Sequence, residues 1–204
     1  SIVGAVSPPG GDFSEPVTQH TQRFIRCFWA LDTELANARH YPSIHWLRSY
    51  SGYAEDVAEW WERHAPDWST LRAEALEILQ REDRLQQIVK LVGPDVLPDS
   101  QRLILFIADM LKDGFLTQNA FDENDMFCTP VRQTALLRLI IGLYRRALTL
   151  IQSGAPLLRI QQLPAVPDLV RAKSVYGNDA VEGIERLKQE LARQLEALAA
   201  EFKK

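Results

Sequence analysis

Cysteine is scarce in this chain, because its 204 residues include only Cys27 and Cys128, about a hundred positions apart. Without a Cys-x-x-Cys pair the sequence predicts neither a disulfide framework nor a zinc site, and a reducing cytosol is the expected compartment. A basic surplus is also missing, since 23 Lys and Arg face 27 Asp and Glu. General nucleic-acid binders and binders of anionic membranes need such a surplus, so both classes are excluded.

Long apolar runs are missing as well. No run reaches the roughly 18 residues that a membrane span requires, and no charged-then-apolar leader is visible. We therefore expect a cytoplasmic protein without direct membrane insertion, which is compatible with the peripheral part of a membrane-bound complex. A chain of 204 residues buries roughly 70% of the surface that its unfolded form exposes, so a core of its own is expected.

A complete active site is not visible either. The four histidines, His20, His40, His45 and His64, are scattered without the spacing of metal ligands. The acidic run at residues 122–125 lacks the glycine and the final glutamate of a calcium loop. Gly10 and Gly11 are not followed by the Gly-Lys-Ser/Thr of a phosphate loop. We predict no catalytic residue and no metal site in this chain.

Strand signals are confined to residues 1–53. Residues 1–6 and 28–31 are short apolar runs, and helices are predicted from a Ser14 N-cap to about Cys27 and over residues 33–39 behind an Asp32 cap. This alternation is typical of an α/β domain. Because an apolar strand normally has neighbours on both sides, we expect a truncated α/β remnant, cut inside an earlier domain.

From residue 54 onward the pattern is helical. Apolar residues recur at spacings of three and four in a short helix that ends at Pro66, a long helix from Ser69 to about residue 92, and helices over residues 101–119, 130–152 and 179–202. One helical turn is expected near Leu169. In the helix from Pro130, the polar face is predicted to carry Arg132, Arg138 and Arg145. The fold class is therefore mainly α, with residues 54–204 forming a C-terminal helical bundle behind the remnant.

The stretch at residues 93–127 has the most unusual organisation. A turn rich in Pro and Asp precedes one apolar helix of roughly 30 Å, with Asp99 or Ser100 as its N-cap. A loop with an aromatic residue, Phe121, follows it. Rings on loops, such as Phe121 and Tyr41, can stack on a nucleobase; the alternative is that both rings cover the core.

Five stretches together resemble one family, the catalytic A subunit of V-type and archaeal A-type ATPases and ATP synthases. They are residues 7–19 (SPPGGDFSEPVTQ), 28–32 (FWALD), 39–47 (RHYPSIHWL), 91–98 (LVGPDVLP) and 118–122 (QNAFD). The resemblance covers nearly the whole chain. It implies that residues 1–53 are the tail of the nucleotide-binding domain and that residues 54–204 are the C-terminal helical domain.

The resemblance also implies roles for individual residues. The adenine pocket would be lined by Tyr41, Pro42, Gln118, Asn119, Ala120 and Phe121. Contacts with the rotor, the central stalk, would be made by Asp12, Ser14, Glu15, Pro94, Asp95, Val96, Leu97 and Pro98.

The same resemblance implies cofactors, partners and activity. The full-length subunit would bind ATP or ADP with Mg and couple ATP synthesis or hydrolysis to ion transport, beside B subunits of an alternating hexamer and the central stalk. In this family the phosphate loop and the general base lie upstream of Ser1, so the fragment alone is expected to be inactive and to bind no nucleotide tightly. The alternatives are a non-enzymatic helical adaptor and the non-catalytic B subunit. Residues 8–17 and 119–122 disfavour the B subunit.

Overall fold

The computed structural model describes residues 2–202, without the side chain of Val92, and divides into two compact units, Ser1–Glu59 and Trp60–Lys204. No helix among the described residues is long and apolar enough to cross a bilayer.

The first unit holds short elements joined by turns. Its helices and strands are α1 (Pro16–Phe24), β1 (Cys27–Phe28), α2 (Thr33–Asn37) and β2 (Tyr50–Ser51), preceded by a 3₁₀ turn at Pro9–Gly11. The antiparallel strands pair Cys27 with Ser51 and Phe28 with Tyr50. The Phe28 ring lies 5.9 Å from Phe13 and 5.8 Å from Tyr50, measured between ring centroids, and these contacts form a small aromatic cluster.

Two predictions for this unit need correction. Residues 2–6 form no strand, because among the described residues β1 and β2 pair only with each other; Ser1, also part of that prediction, lies outside the described residues. The N-cap of α1 is Glu15 instead of Ser14, since the Glu15 carboxylate accepts the N–H groups of Val17 at 3.0 Å and Thr18 at 2.9 Å. The predicted Asp32 cap of α2 is confirmed by the Leu35 N–H at 3.0 Å.

Helices form the second unit. They are α3 (Ala58–His64), which starts in the first unit, α4 (Trp68–Val92), α5 (Asp99–Leu111), α6 (Pro130–Gln152), α7 (Leu157–Gln161), α8 (Val166–Val175) and α9 (Val181–Glu201). A 3₁₀ turn at Pro94–Val96 precedes α5, and a π-helical turn at Lys112–Leu116 continues it. The prediction of a mainly helical fold with a small strand remnant is confirmed.

The centre of this unit is the packing of α6 against α4, α5, α8 and α9. Both α5 and α6 bury continuous apolar stripes, and Ile107, Ala108, Ile141 and Leu143 are fully inaccessible to solvent. Burying one such leucine or isoleucine side chain stabilises the fold by roughly 1.5–3 kcal/mol. The stripe therefore fixes α5 and α6 as one packed pair.

Ion pairs on the outer side tie α6 to α4. The Arg138 guanidinium donates to both carboxylate oxygens of Asp67, at 2.7 and 2.6 Å, and holds the pKa of that carboxyl below its usual value. Arg145 makes a similar contact with Glu74, at 3.0 and 2.5 Å to one carboxylate oxygen. Both arginines are partly exposed, as the helical periodicity predicts.

Several helix boundaries differ from the predicted ones. The predicted helix over residues 101–119 begins at Asp99, and beyond Leu111 it widens into the π turn and ends at Leu116. Neither Asp99 nor Ser100 is its N-cap, because Pro98 holds that position and the Asp99 carboxylate instead accepts the N–H of Leu157 at 2.8 Å. The connection near Leu169 contains two helices, α7 and α8, where one turn was predicted.

The π turn lies very close to α8. A Cβ atom built on Gly114 would meet the Cα of Val170 at 3.2 Å and the carbonyl oxygen of Leu169 at 3.7 Å. The nearest atom belongs to the backbone of a helix, so it cannot move independently. Gly114 therefore allows the close approach of the π turn to α8.

We expect Gly114→Ala to lower the free energy of unfolding by about 1–3 kcal/mol, because the added methyl overpacks this contact. Gly142→Ala in α6 is the matched control: nothing lies within 4 Å of its added Cβ, so better helix propensity should stabilise by about 0.5–1 kcal/mol. Urea unfolding of the two variants measures the difference. Equal effects of the same sign would contradict the close packing of α8 on the π turn.

Candidate functional site

Tyr41 and Pro42 lie in the first unit, after α2. The Tyr41 ring is 53% exposed, and its hydroxyl donates a hydrogen bond to the Ala36 carbonyl at 3.4 Å. Pro42 is exposed and follows a cis peptide bond. The ring is thus held against α2 while part of its surface remains open to a ligand.

Asp12, Ser14 and Glu15 form a tight turn before α1. The Asp12 carboxylate accepts the backbone N–H of Ser14 at 2.9 Å and its hydroxyl at 2.6 Å, and these bonds lower the pKa of Asp12. The two N–H groups bound to Glu15 lower its pKa in the same way. Both side chains are therefore committed to shaping the turn.

The second set of candidate rotor residues forms the α4–α5 turn, residues 93–98. Pro94, Asp95, Val96 and Pro98 are exposed, and Leu91 beside the turn is also exposed. Leu97 differs, because only 8% of its surface is accessible. Its side chain anchors the turn in the second unit, and the rotor contact that the resemblance implies for it stays a prediction.

The remaining candidate residues, Gln118–Phe121, lie in the aromatic loop, which we define as residues 117–129. The Phe121 ring is 98% exposed, so it does not cover the core. Its backbone N–H donates to the Asn119 side-chain oxygen at 3.0 Å. The Gln118 amide donates to the Asp125 carbonyl at 2.9 Å. Gln118 and Asn119 therefore brace the loop that presents the ring.

Arg132, at the start of α6, holds the aromatic loop from below. Its guanidinium is fully buried and donates to the carbonyls of Asn124 at 2.6 Å, Phe127 at 3.3 Å and Lys173. The prediction that Arg132 lies on the polar face of its helix is wrong. The physical reason is that these carbonyls compensate the burial of its charge.

Two asparagines add anchors between the loop and the end of α8. The Asn124 amide donates to the Ser174 carbonyl at 2.8 Å. Asn178 accepts the N–H of Thr129 at 2.8 Å and donates to the Phe127 carbonyl at 2.9 Å. Carbonyls in the last turn of a helix have no partner within that helix, so α8 offers acceptors at the place where the loop needs them.

Sequence reasoning missed Arg132, although its signal was present. Arg132 precedes Leu136 and Ile140 by four and eight residues, and both are buried. Residues with this spacing share one face of a helix. An arginine at the head of an apolar stripe indicates a buried guanidinium whose acceptors come from another segment. Lys173, Asn124 and Asn178 gave no such signal, because their partners lie about 50 residues away in the chain.

The aromatic loop and the α4–α5 turn lie at opposite ends of α5 and its π turn. Together these elements cover residues 99–116, which at about 1.5 Å per residue correspond to roughly 27 Å. The length is slightly less than predicted, because the helix ends before Asn119. The second unit thus presents two separate exposed segments joined by one buried helix.

The exposed ring of the aromatic loop is chemically suited to contact with a flat base. An exposed ring on a braced loop offers a π-face for stacking. In contrast, no phosphate loop occurs in the sequence, and no group of three or more His, Cys, Asp or Glu that could hold a metal ion occurs in residues 2–202. Burial raises the pKa of the Cys128 thiol, which disfavours the reactive thiolate.

Comparison with known families divides the chain into two parts. Residues 58–161 match the C-terminal domain of V and A type ATP synthase. Residues 1–51 match the nucleotide-binding domain of the ATP synthase alpha/beta family.

Individual relatives agree with both matches. The A subunit of the A-type ATP synthase from Methanopyrus kandleri is 49% identical over 202 residues, which cover 98% of this chain and 34% of the relative. The V-type ATP synthase alpha chain of Halothermothrix orenii is 52% identical over 179 residues, covering 87% of this chain and 30% of the relative. The corresponding A-type protein of Hyperthermus butylicus is 52% identical over 97% of this chain and 33% of its own length. The chain spans about a third of the length of the curated relatives it matches.

We expect Arg132→Met to lower the free energy of unfolding by about 3 kcal/mol, because it removes the guanidinium donor from the carbonyls of Asn124, Phe127 and Lys173. Arg146→Met is the matched control. Arg146 lies on the same helix and pairs with Glu196 at 3.1 Å, but both side chains are exposed, so a change within about 0.5 kcal/mol is expected. Chemical unfolding measures both values, and similar losses in the two variants would refute the anchoring role of Arg132.

Proposed function

Since the chain belongs to the V- and A-type ATP synthase family, we propose that it links the adenine pocket of the catalytic A subunit to the central rotor stalk. In this proposal, residues 1–53 complete the nucleotide-binding domain and residues 54–204 form the C-terminal helical domain. The complete subunit binds ATP or ADP with Mg and couples ATP synthesis or hydrolysis to ion transport. A helical adaptor, the alternative function, finds no support in relatives named as ATP synthase subunits.

The exposed ring of Phe121 is the observation that carries the proposal. An aromatic side chain of this size is normally buried, and a 98% exposed ring on a hydrogen-bonded loop is available to a ligand. Tyr41, followed by Pro42, offers a second half-open ring in the first unit. Stacking of one base on an aromatic side chain contributes about 1–3 kcal/mol.

The residues of this chain would hold only the base of the nucleotide. The donors and ligands for the phosphates and Mg would come from other parts of the complete subunit, since no phosphate loop occurs in the sequence of this chain. In the complete subunit these groups supply phosphoryl transfer, while Tyr41 and Phe121 bind and orient the base. Gln118, Asn119 and Ala120 complete that wall of the pocket by shaping the loop.

The α4–α5 turn is the proposed contact with the central stalk. The exposed side chains of Leu91 and Val96 offer apolar surface there, and Leu97 anchors the turn. The turn formed by Asp12, Ser14 and Glu15 is a second proposed contact with the rotor. Closure of the pocket on Phe121 would tilt the helical domain, and α5 would carry that tilt to the α4–α5 turn.

The assembly follows from the same family proposal. In this proposal, copies of the complete subunit alternate with B subunits in a hexamer around the central stalk. The hexamer is the peripheral, cytoplasmic part of a membrane-bound complex. Coupling through such an assembly is reciprocal, because nucleotide shifts the domain only by its different affinity for the two positions.

In the complete subunit, we expect Phe121→Ala to weaken nucleotide binding by about 1–3 kcal/mol, or roughly 5- to 150-fold, through the loss of stacking. Phe24→Ala is the control, since Phe24 is also highly exposed and belongs to neither proposed site. Titration of both variants with MgADP measures the effect. Unchanged affinity in Phe121→Ala would remove this ring from the pocket.

We expect the 204-residue chain by itself to show no steady ATP hydrolysis, because it lacks a phosphate loop. Phosphate release from ATP, measured with the purified chain and with the complete subunit in its complex, checks this. Steady turnover by the purified chain would contradict the proposal that its residues hold only the base of the nucleotide.

A further inference from the structure

A buried carboxylate organises the aromatic loop. Only 5% of Asp125 is exposed, and its Oδ2 accepts the backbone N–H of Asn119 at 2.8 Å. Its carbonyl accepts the Gln118 amide at 2.9 Å, and its own N–H donates to the Asp122 carboxylate at 3.0 Å. Asp125 therefore joins the later part of the loop to Gln118 and Asn119, the residues shortly before Phe121.

Lys173 of α8 supplies the positive charge that this carboxylate needs. Its Nζ lies 3.7 Å from Asp125 Oδ2 and donates to the Thr117 carbonyl at 2.5 Å, while only 11% of the side chain is exposed. Burial lowers the pKa of Lys173, and the nearby carboxylates of Asp125, Asp113 and Asp122 oppose that change. Lys173 thus contacts the loop at Thr117, where the loop begins, and at Asp125, beyond the ring.

These contacts form an unbroken series from α8 to the backbone of Phe121. Lys173 pairs with Asp125, Asp125 accepts the Asn119 N–H, and the Asn119 side chain accepts the Phe121 N–H. The Phe121 side chain itself is 98% exposed, so packing of the ring does not fix its place. The series of polar contacts instead holds the backbone that carries the ring.

We propose that Asp125 and Lys173 are positioning residues for nucleotide binding, which fix the aromatic loop on α8 so that Phe121 meets the base in a ready orientation. This inference rests on the function proposed above for Phe121. Neither residue touches the nucleotide. Their effect is preorganisation: a ring on an unfixed loop would have to be ordered when the nucleotide binds, which weakens affinity.

The test is a double-mutant cycle in the complete subunit within its assembled complex. The variants are Lys173→Met, Phe121→Ala and their combination, and the readouts are the Kd for MgADP and the KM and kcat for MgATP. Lys173→Met is expected to raise Kd and KM about 3- to 30-fold with kcat unchanged, because the base is held equally before and during reaction. In the combined variant, Lys173→Met should add no loss to that of Phe121→Ala.

Lys188→Met provides the matched control. Lys188 pairs with Glu185 at 2.9 Å on the outer side of α9, where both side chains are well exposed. We expect this variant to keep the original Kd and KM. An equal loss in Lys188→Met and Lys173→Met would overturn the inference, since the effect would then not depend on the loop.

The outcomes separate this inference from the proposed function. Unchanged affinity in Phe121→Ala would overturn the proposed base contact and the inference with it. A loss in Phe121→Ala combined with no loss in Lys173→Met would overturn the inference alone. Full additivity in the cycle would do the same, because Lys173 would then act independently of the ring.

A second pair of variants keeps the test decisive if Lys173→Met does not assemble. Asp125→Asn retains an oxygen that can accept the Asn119 N–H, whereas Asp125→Ala removes it. Asp125→Ala is expected to weaken MgADP binding more than Asp125→Asn. Equal and unchanged affinity in both variants would overturn the positioning role.

Discussion

A guanidinium without access to water must find its hydrogen-bond acceptors in the protein. The Arg132 guanidinium finds them partly in the aromatic loop, whose conformation depends on these bonds. The acceptors are the carbonyls of Asn124 and Phe127 in the loop and of Lys173 in α8. Arg132 itself is part of α6, the helix on which the bundle packs. Among the described residues Arg132 Nε has no hydrogen-bond partner, so the loss of any of these acceptors would leave still more of a buried charge unpaired, which is strongly unfavourable. The loop conformation is thus tied to the stability of the core, even though the ring that it presents is exposed.

Periodicity predicted the parts of the fold that depend on one helix face at a time. The stripes of α4, α6 and α9 were predicted within a few residues, since apolar side chains at spacings of three and four are sufficient evidence for such helices. The strand at residues 2–6 was wrong, because a strand depends on partners that a local pattern does not identify. The position of Phe121 in a loop after α5 was predicted, although the helical turns end at Leu116, earlier than expected. The contacts of Lys173 and Asn178 with the loop join positions about 50 residues apart in the chain, and no local pattern reports them.

The π turn shows a second limit of periodicity. Residues 112–116 continue the helical pattern in sequence, yet each turn there contains an extra residue. The turn also packs closely against α8, because Gly114 lets α8 approach until the Val170 Cα would touch an added Cβ. The close approach also brings Lys173 within reach of Thr117, one residue beyond the turn. The wide turn and the start of the aromatic loop therefore both contact α8.

This packing limits how the two exposed ends of the second unit can communicate. Both Ile107 and Ala108 of α5 are fully buried, and a close-packed interior does not allow one helix to slide while its neighbours stay fixed. In the proposed coupling, a force on the Phe121 ring passes through Asp125 and Lys173 to α8 and through Arg132 to α6. These helices pack with α5 or its π turn, so the α4–α5 turn moves together with the loop. In this proposal the packed bundle moves as one unit. The helix α5 and its π turn separate the aromatic loop from the α4–α5 turn by roughly 27 Å, so a small rotation of the bundle would displace the turn.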